Sequence, residues 1–264
     1  MKTGIALGGG AGLGWAHIGV FRAFEAEGVK VDMISGTSIG AIVGACIAAG
    51  IVDELEEVAR EITLREMLTM GEFGFKKGGL IGAGKIEQKL RKHLNYKTFE
   101  ELKLPFVAVA ADVYSGDRVA MQDGDVVTAV RASSAIPGML PPVATESLLL
   151  VDGGVVDPVP VQPLRDLGAD FIIAVDLQGD YEGKSQRLGF DPAMKLPSLA
   201  AMKTARAGWS MALHSLTQAN LKVDKPDVVI TPRIGHIDMA DFTRADELIA
   251  LGKAAAYDVM DSIT

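Results

Sequence analysis

A serine flanked by two glycines is the strongest candidate for chemistry in this sequence. Gly36, Ser38 and Gly40 form a GxSxG pattern between an apolar run at residues 29–34 and another at residues 41–51. The first run is typical of a buried strand and the second of a helix, and a nucleophilic serine needs this strand-turn-helix setting. The two glycines allow the helix to approach the strand closely. We therefore predict that Ser38 is a nucleophile.

A glycine-rich segment near the start of the chain is the second candidate. Residues 8–14 read GGGAGLG, follow the apolar run at residues 5–7 and precede a helical pattern. No register of this segment fits the GxGxxG dinucleotide fingerprint, and the chain contains no GxxxxGK[ST] phosphate loop. Backbone N–H groups in such a turn can still bind a phosphate or a developing oxyanion. We expect an oxyanion hole formed by the backbone N–H groups of Gly8, Gly9, Gly10 and Ile39.

An aspartate followed by two glycines is the third candidate. Asp152, Gly153 and Gly154 come directly after residues 147–151, which read as a buried strand. Open α/β sheets place their chemistry at the carboxyl ends of strands, so an aspartate there is well placed for a site. A surface turn is the alternative interpretation of the same three residues.

These motifs, together with a proline-containing block, resemble those of the bacterial patatin-like phospholipases. The four blocks occur in order at residues 8–14, 36–40, 133–142 and 152–154. Members of that family use a Ser-Asp dyad without histidine. The resemblance therefore implies Ser38 as nucleophile, Asp152 as its base, and hydrolysis of carboxylic esters of lipids or lysophospholipids. It also implies a three-layer α/β/α patatin-like fold with a mostly parallel central sheet.

Two positions depart from the family pattern. Leu13 stands where the glycine-rich block usually carries Arg or Lys, so any role of that cation is absent here. Asp157 stands before Pro158 at a position where Asn is common, which changes the expected local hydrogen bonding.

The elements that must position these motifs alternate along the chain. Apolar runs predict strands at residues 3–7, 29–35, 105–113, 148–151, 170–177 and 227–230. Helical patterns lie at residues 15–27, 39–49, 84–93, 126–133, 198–221 and 244–260. This alternation predicts an α/β sheet covered by helices on both faces. Residues 67–82, with Phe73 and Phe75, and residues 179–197 have no clear period and are lid or substrate-entrance candidates.

Composition limits the class of protein and its partners. The 264 residues, 48% hydrophobic and 23% charged, predict one domain over residues 1–264. The net charge of −8 argues against nucleic acid and against electrostatic capture by an anionic bilayer. Lipid or ester substrates would be met by apolar contact, with transient contact at a membrane surface.

The remaining features concern location and accessory groups. The single cysteine, Cys46, excludes an internal disulfide, and no segment reads as a signal peptide or a spanning helix. We expect a cytoplasmic protein, peripheral at most to the inner face of the membrane. No HExxH, CxxC or carboxylate cluster indicates a metal, and we expect no cofactor. The sequence does not specify an oligomeric state.

Two other functions fit parts of the sequence. A Ser-Asp-His triad is formally available, because His214 and His236 both follow Asp152, and His236 lies in a loop-like segment. A regulatory or scaffold protein that keeps the site but binds an acyl ligand or a protein partner without turnover is the second, and the Leu13 departure favours it.

Overall fold

The structure is a computed structural model that describes residues 1–61, 91–94, 97–189 and 197–263. Its strands are β1 (Thr3–Leu7), β2 (Met33–Thr37), β3 (Phe106–Asp112), β4 (Arg118–Met121), β5 (Val143–Ala144), β6 (Leu149–Asp152), β7 (Phe171–Val175) and β8 (Val228–Ile230). Its α-helices are α1 (Trp15–Glu27), α2 (Ile39–Ala49), α3 (Val52–Glu61), α4 (Val126–Ser133), α5 (Gln162–Asp166), α6 (Lys184–Arg187), α7 (Pro197–Asp224) and α8 (Ala245–Tyr257). Residues 91–94 are also helical.

The strands form one mixed sheet. Hydrogen bonds connect them in the path β5-β6-β3-β2-β1-β7-β8, and β4 pairs with β3 in addition. The run from β3 through β2, β1 and β7 to β8 is parallel, whereas β4 and β6 are antiparallel to β3 and β5 is antiparallel to β6. The sheet is therefore mostly parallel, with its antiparallel strands at the β3 end.

Helices cover both faces of this sheet. In β1, Ile5 and Leu7 pack into a large cluster with α1, α2 and α8, while Ala6 faces a second cluster that includes Leu164 of α5. Successive side chains of a strand point to opposite faces, so a strand buried on both faces reads as an unbroken apolar run. This arrangement confirms the predicted three-layer α/β/α fold. Each fully buried aliphatic side chain contributes about 1.5–3 kcal/mol.

The element boundaries differ from the predicted ones where local hydrogen bonds intervene. Strand β2 begins at Met33 rather than at residue 29, because the preceding residues complete the end of α1. Gly28 is left-handed with φ of 69°, and the Val29 N–H donates to the Phe24 carbonyl at 2.9 Å. These are the features of a Schellman C-cap. Val29 therefore completes the end of α1 and is not part of β2.

Several elements had no clear signal in the sequence. Helix α3 is amphipathic and mostly acidic, with Val52, Leu55 and Ala59 buried. Strand β4 is half exposed, and β5 has only two residues. The predicted irregular stretch at residues 179–197 contains α6. The other, at residues 67–82 with Phe73 and Phe75, lies outside the described residues, as does most of the predicted helix at residues 84–93.

Candidate active site

Ser38 occupies a strained turn between β2 and α2. Its backbone has φ of 58° and ψ of −123°, and its side chain is buried. A positive φ is uncommon for a residue with a side chain and costs about 1–3 kcal/mol, which the surrounding structure must offset. A Cβ at Gly36 would lie 2.4 Å from the Gly40 carbonyl oxygen, and a Cβ at Gly40 would lie 2.1 Å from that of Leu7. Both glycines are therefore required by close backbone packing.

Hydrogen bonds from distant segments hold this turn. The Ser38 N–H donates to the Ser133 hydroxyl at 2.9 Å, and that hydroxyl donates to the Val109 carbonyl at 2.5 Å. The Ser134 hydroxyl donates to the Ser38 carbonyl at 3.2 Å, and the Thr37 hydroxyl donates to the Asp157 carbonyl at 2.8 Å. Ser133 and Ser134 belong to the proline-containing block, but no local pattern predicted their contact with the serine turn.

The pairing of β3 explains how Asp152 reaches Ser38. Ala108 and Val109 pair with both β2 and β4, so β2 and β4 lie on opposite edges of β3. Ala110 and Ala111 pair with both β4 and β6, so β6 lies on the same edge as β2. A strand has only two hydrogen-bonding edges, and β2 and β6 therefore follow one another along one of them.

The carboxyl ends of β2 and β6 meet on that shared edge. Thr37 pairs with Val109, and Asp152 pairs with the next residue of β3, Ala110. Ser38 follows Thr37 and thus lies next to Asp152. Gly153 lets the chain turn away here, because a Cβ at Gly153 would lie 2.3 Å from the Val109 carbonyl oxygen.

The Asp152 carboxyl group is buried, and few hydrogen-bond donors surround it. Its side chain is 3% exposed, and its Oδ1 accepts the Gly154 N–H at 2.8 Å. Burial raises the pKa of Asp152 to about 6, opposed by the Ser38 hydroxyl and by the Gly154 N–H. Its Oδ2 is buried and accepts no hydrogen bond of ordinary geometry from the described part of the chain. A carboxylate in this environment is more basic than one in water and has a free lone pair beside the serine.

The glycine-rich turn lies against Ser38, but its N–H groups differ from the expectation. A Cβ at Gly9 would lie 3.4 Å from the Cβ of Ser38. The Gly8 N–H donates to the Val175 carbonyl at 3.1 Å, and the Gly9 N–H donates to the Pro158 carbonyl at 2.9 Å. These two N–H groups are paired and are not available to an oxyanion. Among the described residues, the N–H groups of Gly10 and Ile39 have no acceptor.

Buried residues lie behind the glycine-rich turn and the serine turn. His17 Nε2 donates to the Gly8 carbonyl at 2.7 Å, and burial lowers the pKa of His17 to about 4, so the ring is neutral near pH 7. Leu13, at the position of the family's usual cation, is completely buried in the core. Asp157 forms an ion pair with Arg118 at 3.0 Å, and burial raises its pKa to about 6. Residues 157–159 thus contact both the serine turn and the glycine-rich turn.

The histidines have other partners. His236 Nε2 lies 2.8 Å from the Glu247 carboxylate, and its side chain is 40% exposed. His214 Nδ1 lies 2.8 Å from the Gln178 carbonyl, and its ring stacks on Tyr181. Neither histidine contacts Asp152, so the geometry does not support a Ser-Asp-His triad.

The described residues offer neither a metal site nor a spanning helix, and the thiol of Cys46 is buried. No group of three or more His, Cys, Asp or Glu side chains in the described ranges is arranged to hold a metal ion. No helix in the same ranges is long and apolar enough to cross a membrane. Cys46 is buried, and burial raises the pKa of its thiol to about 12, which is opposite to the shift a reactive thiolate needs.

Comparison with known proteins gives the following matches. The family model described as patatin-like phospholipase matches residues 5–165. An uncharacterized NTE family protein of Mycobacterium tuberculosis (strain ATCC 25618 / H37Rv) is 38% identical over 185 residues, which cover 70% of this chain and 51% of the relative. Lysophospholipase NTE1 of Coccidioides immitis (strain RS) is 28% identical over 282 residues, which cover 99% of this chain and 18% of that protein. This chain therefore spans about half the length, or less, of these relatives.

A solved structure also matches. The crystal structure of VipD from Legionella pneumophila aligns with a TM-score of 0.54 at 13% identity, over 99% of this chain and 67% of that chain. At this identity the match concerns the fold alone. It agrees with the mixed, mostly parallel sheet covered by helices on both faces.

Proposed function

The chain belongs to the patatin-like phospholipase family, and from that premise we propose that it is a serine acyl hydrolase that cleaves carboxylic esters of lipids. The single observation that carries the proposal is the meeting of β2 and β6 on one edge of β3. That meeting brings Ser38, whose backbone is strained, next to the buried and basic carboxylate of Asp152. Neither feature serves stability, because positive φ and a buried carboxylate both cost free energy.

The reaction proceeds through an acyl-enzyme. Ser38 Oγ attacks the ester carbonyl carbon while Asp152 takes the hydroxyl proton, and the carbonyl oxygen becomes an oxyanion. The free N–H groups of Gly10 and Ile39 bind that oxyanion. The intermediate collapses, the alcohol leaves with the proton from Asp152, and the acyl group stays on Ser38. Water then attacks the acyl-enzyme with Asp152 again as base, which releases the acid and restores the serine.

The environment of Asp152 suits this role. An effective general base has a pKa near the working pH, because a carboxylate with its ordinary pKa of about 3.9 accepts a proton poorly. Burial raises the pKa of Asp152 to about 6, so the group is mostly ionised at pH 7 and still more basic than a surface aspartate. Asp152 therefore needs no histidine.

Lysophospholipids are the proposed substrate class. A relative that aligns with 99% of this chain is named a lysophospholipase. The net charge of −8 provides no general attraction to anionic bilayers, so a monomeric single-chain lipid is favoured over a lipid held in a charged membrane.

The deciding experiment pairs a fluorophosphonate probe with ester hydrolysis. Ser38→Ala should abolish labelling and lower kcat at least about 10³-fold, and Asp152→Asn should lower kcat similarly with an unchanged fold. Ser147→Ala and Asp123→Asn, at exposed positions, are the matched controls and should retain full activity. Absence of both labelling and hydrolysis in the unmodified chain would instead support an acyl-binding or scaffold protein.

A further inference from the structure

A cleft between α6 and α7 borders the glycine-rich turn. We propose that this cleft binds the phosphate group of the lysophospholipid substrate and so discriminates against neutral lipids. This inference rests on the proposed function and extends it to the head group. Its lining includes Lys184, Arg206, Ser210, Asp238 and Met239.

Lys184 is the central observation, because it is a buried lysine without a carboxylate partner. Its side chain is 4% exposed, and its ammonium donates to the Gln178 Oε1 at 3.2 Å. No carboxylate of the described residues lies within ion-pairing distance of it. Buried charges in proteins are normally paired, and an ammonium has three donors. Lys184 thus retains hydrogen-bonding capacity toward an anion in the cleft.

The nearby carboxylates are engaged with other donors. Asp180 accepts hydrogen bonds from Arg187 and from the Gly235 N–H. Asp238 accepts the Ala240 N–H and lies 3.4 Å from Arg206. Burial lowers the pKa of Lys184 and outweighs the opposing effect of Asp180, Asp238 and Asp176.

The charge of the cleft differs in sign from that of the chain. Its lining carries two cations, Lys184 and Arg206, and one carboxylate, Asp238, which leaves one positive charge. The whole chain carries a net charge of −8. A cleft of locally positive sign in an acidic protein selects an anionic group at this place.

Gln178 connects the cleft to the catalytic turn. An ammonium can only donate, so the amide atom that faces Lys184 and the Ser210 hydroxyl is the oxygen. The amide Nε2 is consequently directed elsewhere, is buried and has no acceptor in the described ranges. It would lie 3.3 Å from a Cβ at Gly10. The Gln178 side chain therefore connects Lys184 and Ser210 of the cleft to the glycine-rich turn.

The other side of the cleft also contacts the turn. The carbonyl of Met239, which lines the cleft, accepts the Gly12 N–H at 2.8 Å. In a lysophospholipid the glycerol carbons separate the ester from the phosphate. An ester at Ser38 with its phosphate at Lys184 matches this order, because the turn that contacts Ser38 is hydrogen-bonded to Met239 of the cleft.

The test compares two esters that differ in the phosphate. Palmitoyl lysophosphatidic acid carries it, and 1-palmitoylglycerol is its neutral counterpart. Lys184→Gln should lower kcat/KM about 10- to 100-fold for the first ester, because hydrogen bonds to charged groups are the strong ones, and less than about twofold for the second. Arg206→Gln, at the exposed rim, should lower only the first, by about threefold. Lys222→Gln removes the same charge from an exposed position of α7 and should change neither.

A binding measurement separates this inference from the proposed function. Glycerol 3-phosphate, titrated calorimetrically, should bind the unmodified chain and Ser38→Ala equally and should bind Lys184→Gln at least about 10-fold more weakly. This binding result is expected even if neither ester is hydrolysed. Absence of hydrolysis would refute the proposed function but not the phosphate site. Equal losses on both esters, no binding of glycerol 3-phosphate, or binding of inorganic phosphate without any effect of Lys184→Gln on the charged ester would each overturn the inference. If Lys184→Gln has a lowered melting temperature, the effect of Arg206→Gln on the two esters tests the inference instead.

Discussion

Lowering the pH from 7 to 5 should remove most of the esterase activity of this chain. The proposed mechanism requires Asp152 as its carboxylate, because a protonated carboxyl cannot accept the Ser38 proton. Burial raises the pKa of Asp152 to about 6, so protonation and loss of activity occur as the pH falls through that value. Activity should rise with pH and level off above about pH 7.

The size of the effect follows from this pKa. With a pKa of about 6, Asp152 is roughly 90% ionised at pH 7 and roughly 10% ionised at pH 5. The value of kcat/KM should therefore fall about tenfold over these two pH units. An aspartate with its ordinary pKa of about 3.9 would still be more than roughly 90% ionised at pH 5, and activity would hardly change.

The assay measures initial rates on a soluble short-chain p-nitrophenyl ester, below saturation and at constant ionic strength, because kcat/KM reports the free enzyme. Asp157 is the necessary control, since burial also raises its pKa to about 6. Asp157→Asn should keep the acidic limb of the profile. A limb centred below pH 5 in the unmodified chain would refute the assignment of Asp152, and a limb that disappears in Asp157→Asn would transfer it to Asp157.

Three further predictions concern stability, the oxyanion hole and histidine. The folded-state pKa of Asp152, about 6, lies above its unfolded value of about 3.9, so stability is lost as the pH rises through this range. Asp152→Asn should thus raise the free energy of unfolding at pH 8 by up to about 3 kcal/mol, with a smaller gain at pH 5, measured by urea titration. Gly10→Ala should lower kcat about 10²–10³-fold in a folded variant, because a Cβ there would lie 2.9 Å from Leu177 and displace the free N–H. An unchanged kcat would show that the Gly10 N–H does not take part in the reaction. His236→Ala should change kcat by less than about twofold, since the partner of His236 is Glu247. A loss equal to that of Ser38→Ala would instead support a Ser-Asp-His triad.

The sequence alone was sufficient for features that depend on neighbours in the chain. The GxSxG pattern between two apolar runs predicted the turn from β2 to α2, because strand, glycines and helix are consecutive. Apolar runs likewise predicted the buried strands of an α/β sheet, since a strand covered on both faces needs them. Edge strands β4 and β5 were missed, because short or half-exposed strands leave no such run.

Only the tertiary structure decided which groups meet and which are free. The sequence placed Asp152 at the end of a strand by a rule for parallel sheets, but β6 is antiparallel to β3. Asp152 meets Ser38 because β6 shares an edge of β3 with β2, although the two residues are more than a hundred positions apart in the chain. The N–H groups of Gly8 and Gly9 are paired with the distant carbonyls of Val175 and Pro158, so two of the four predicted oxyanion donors are not available. The high pKa of Asp152 arises from burial. Hydrogen-bond partners and burial depend on how distant segments pack, and no local pattern of residue types encodes them.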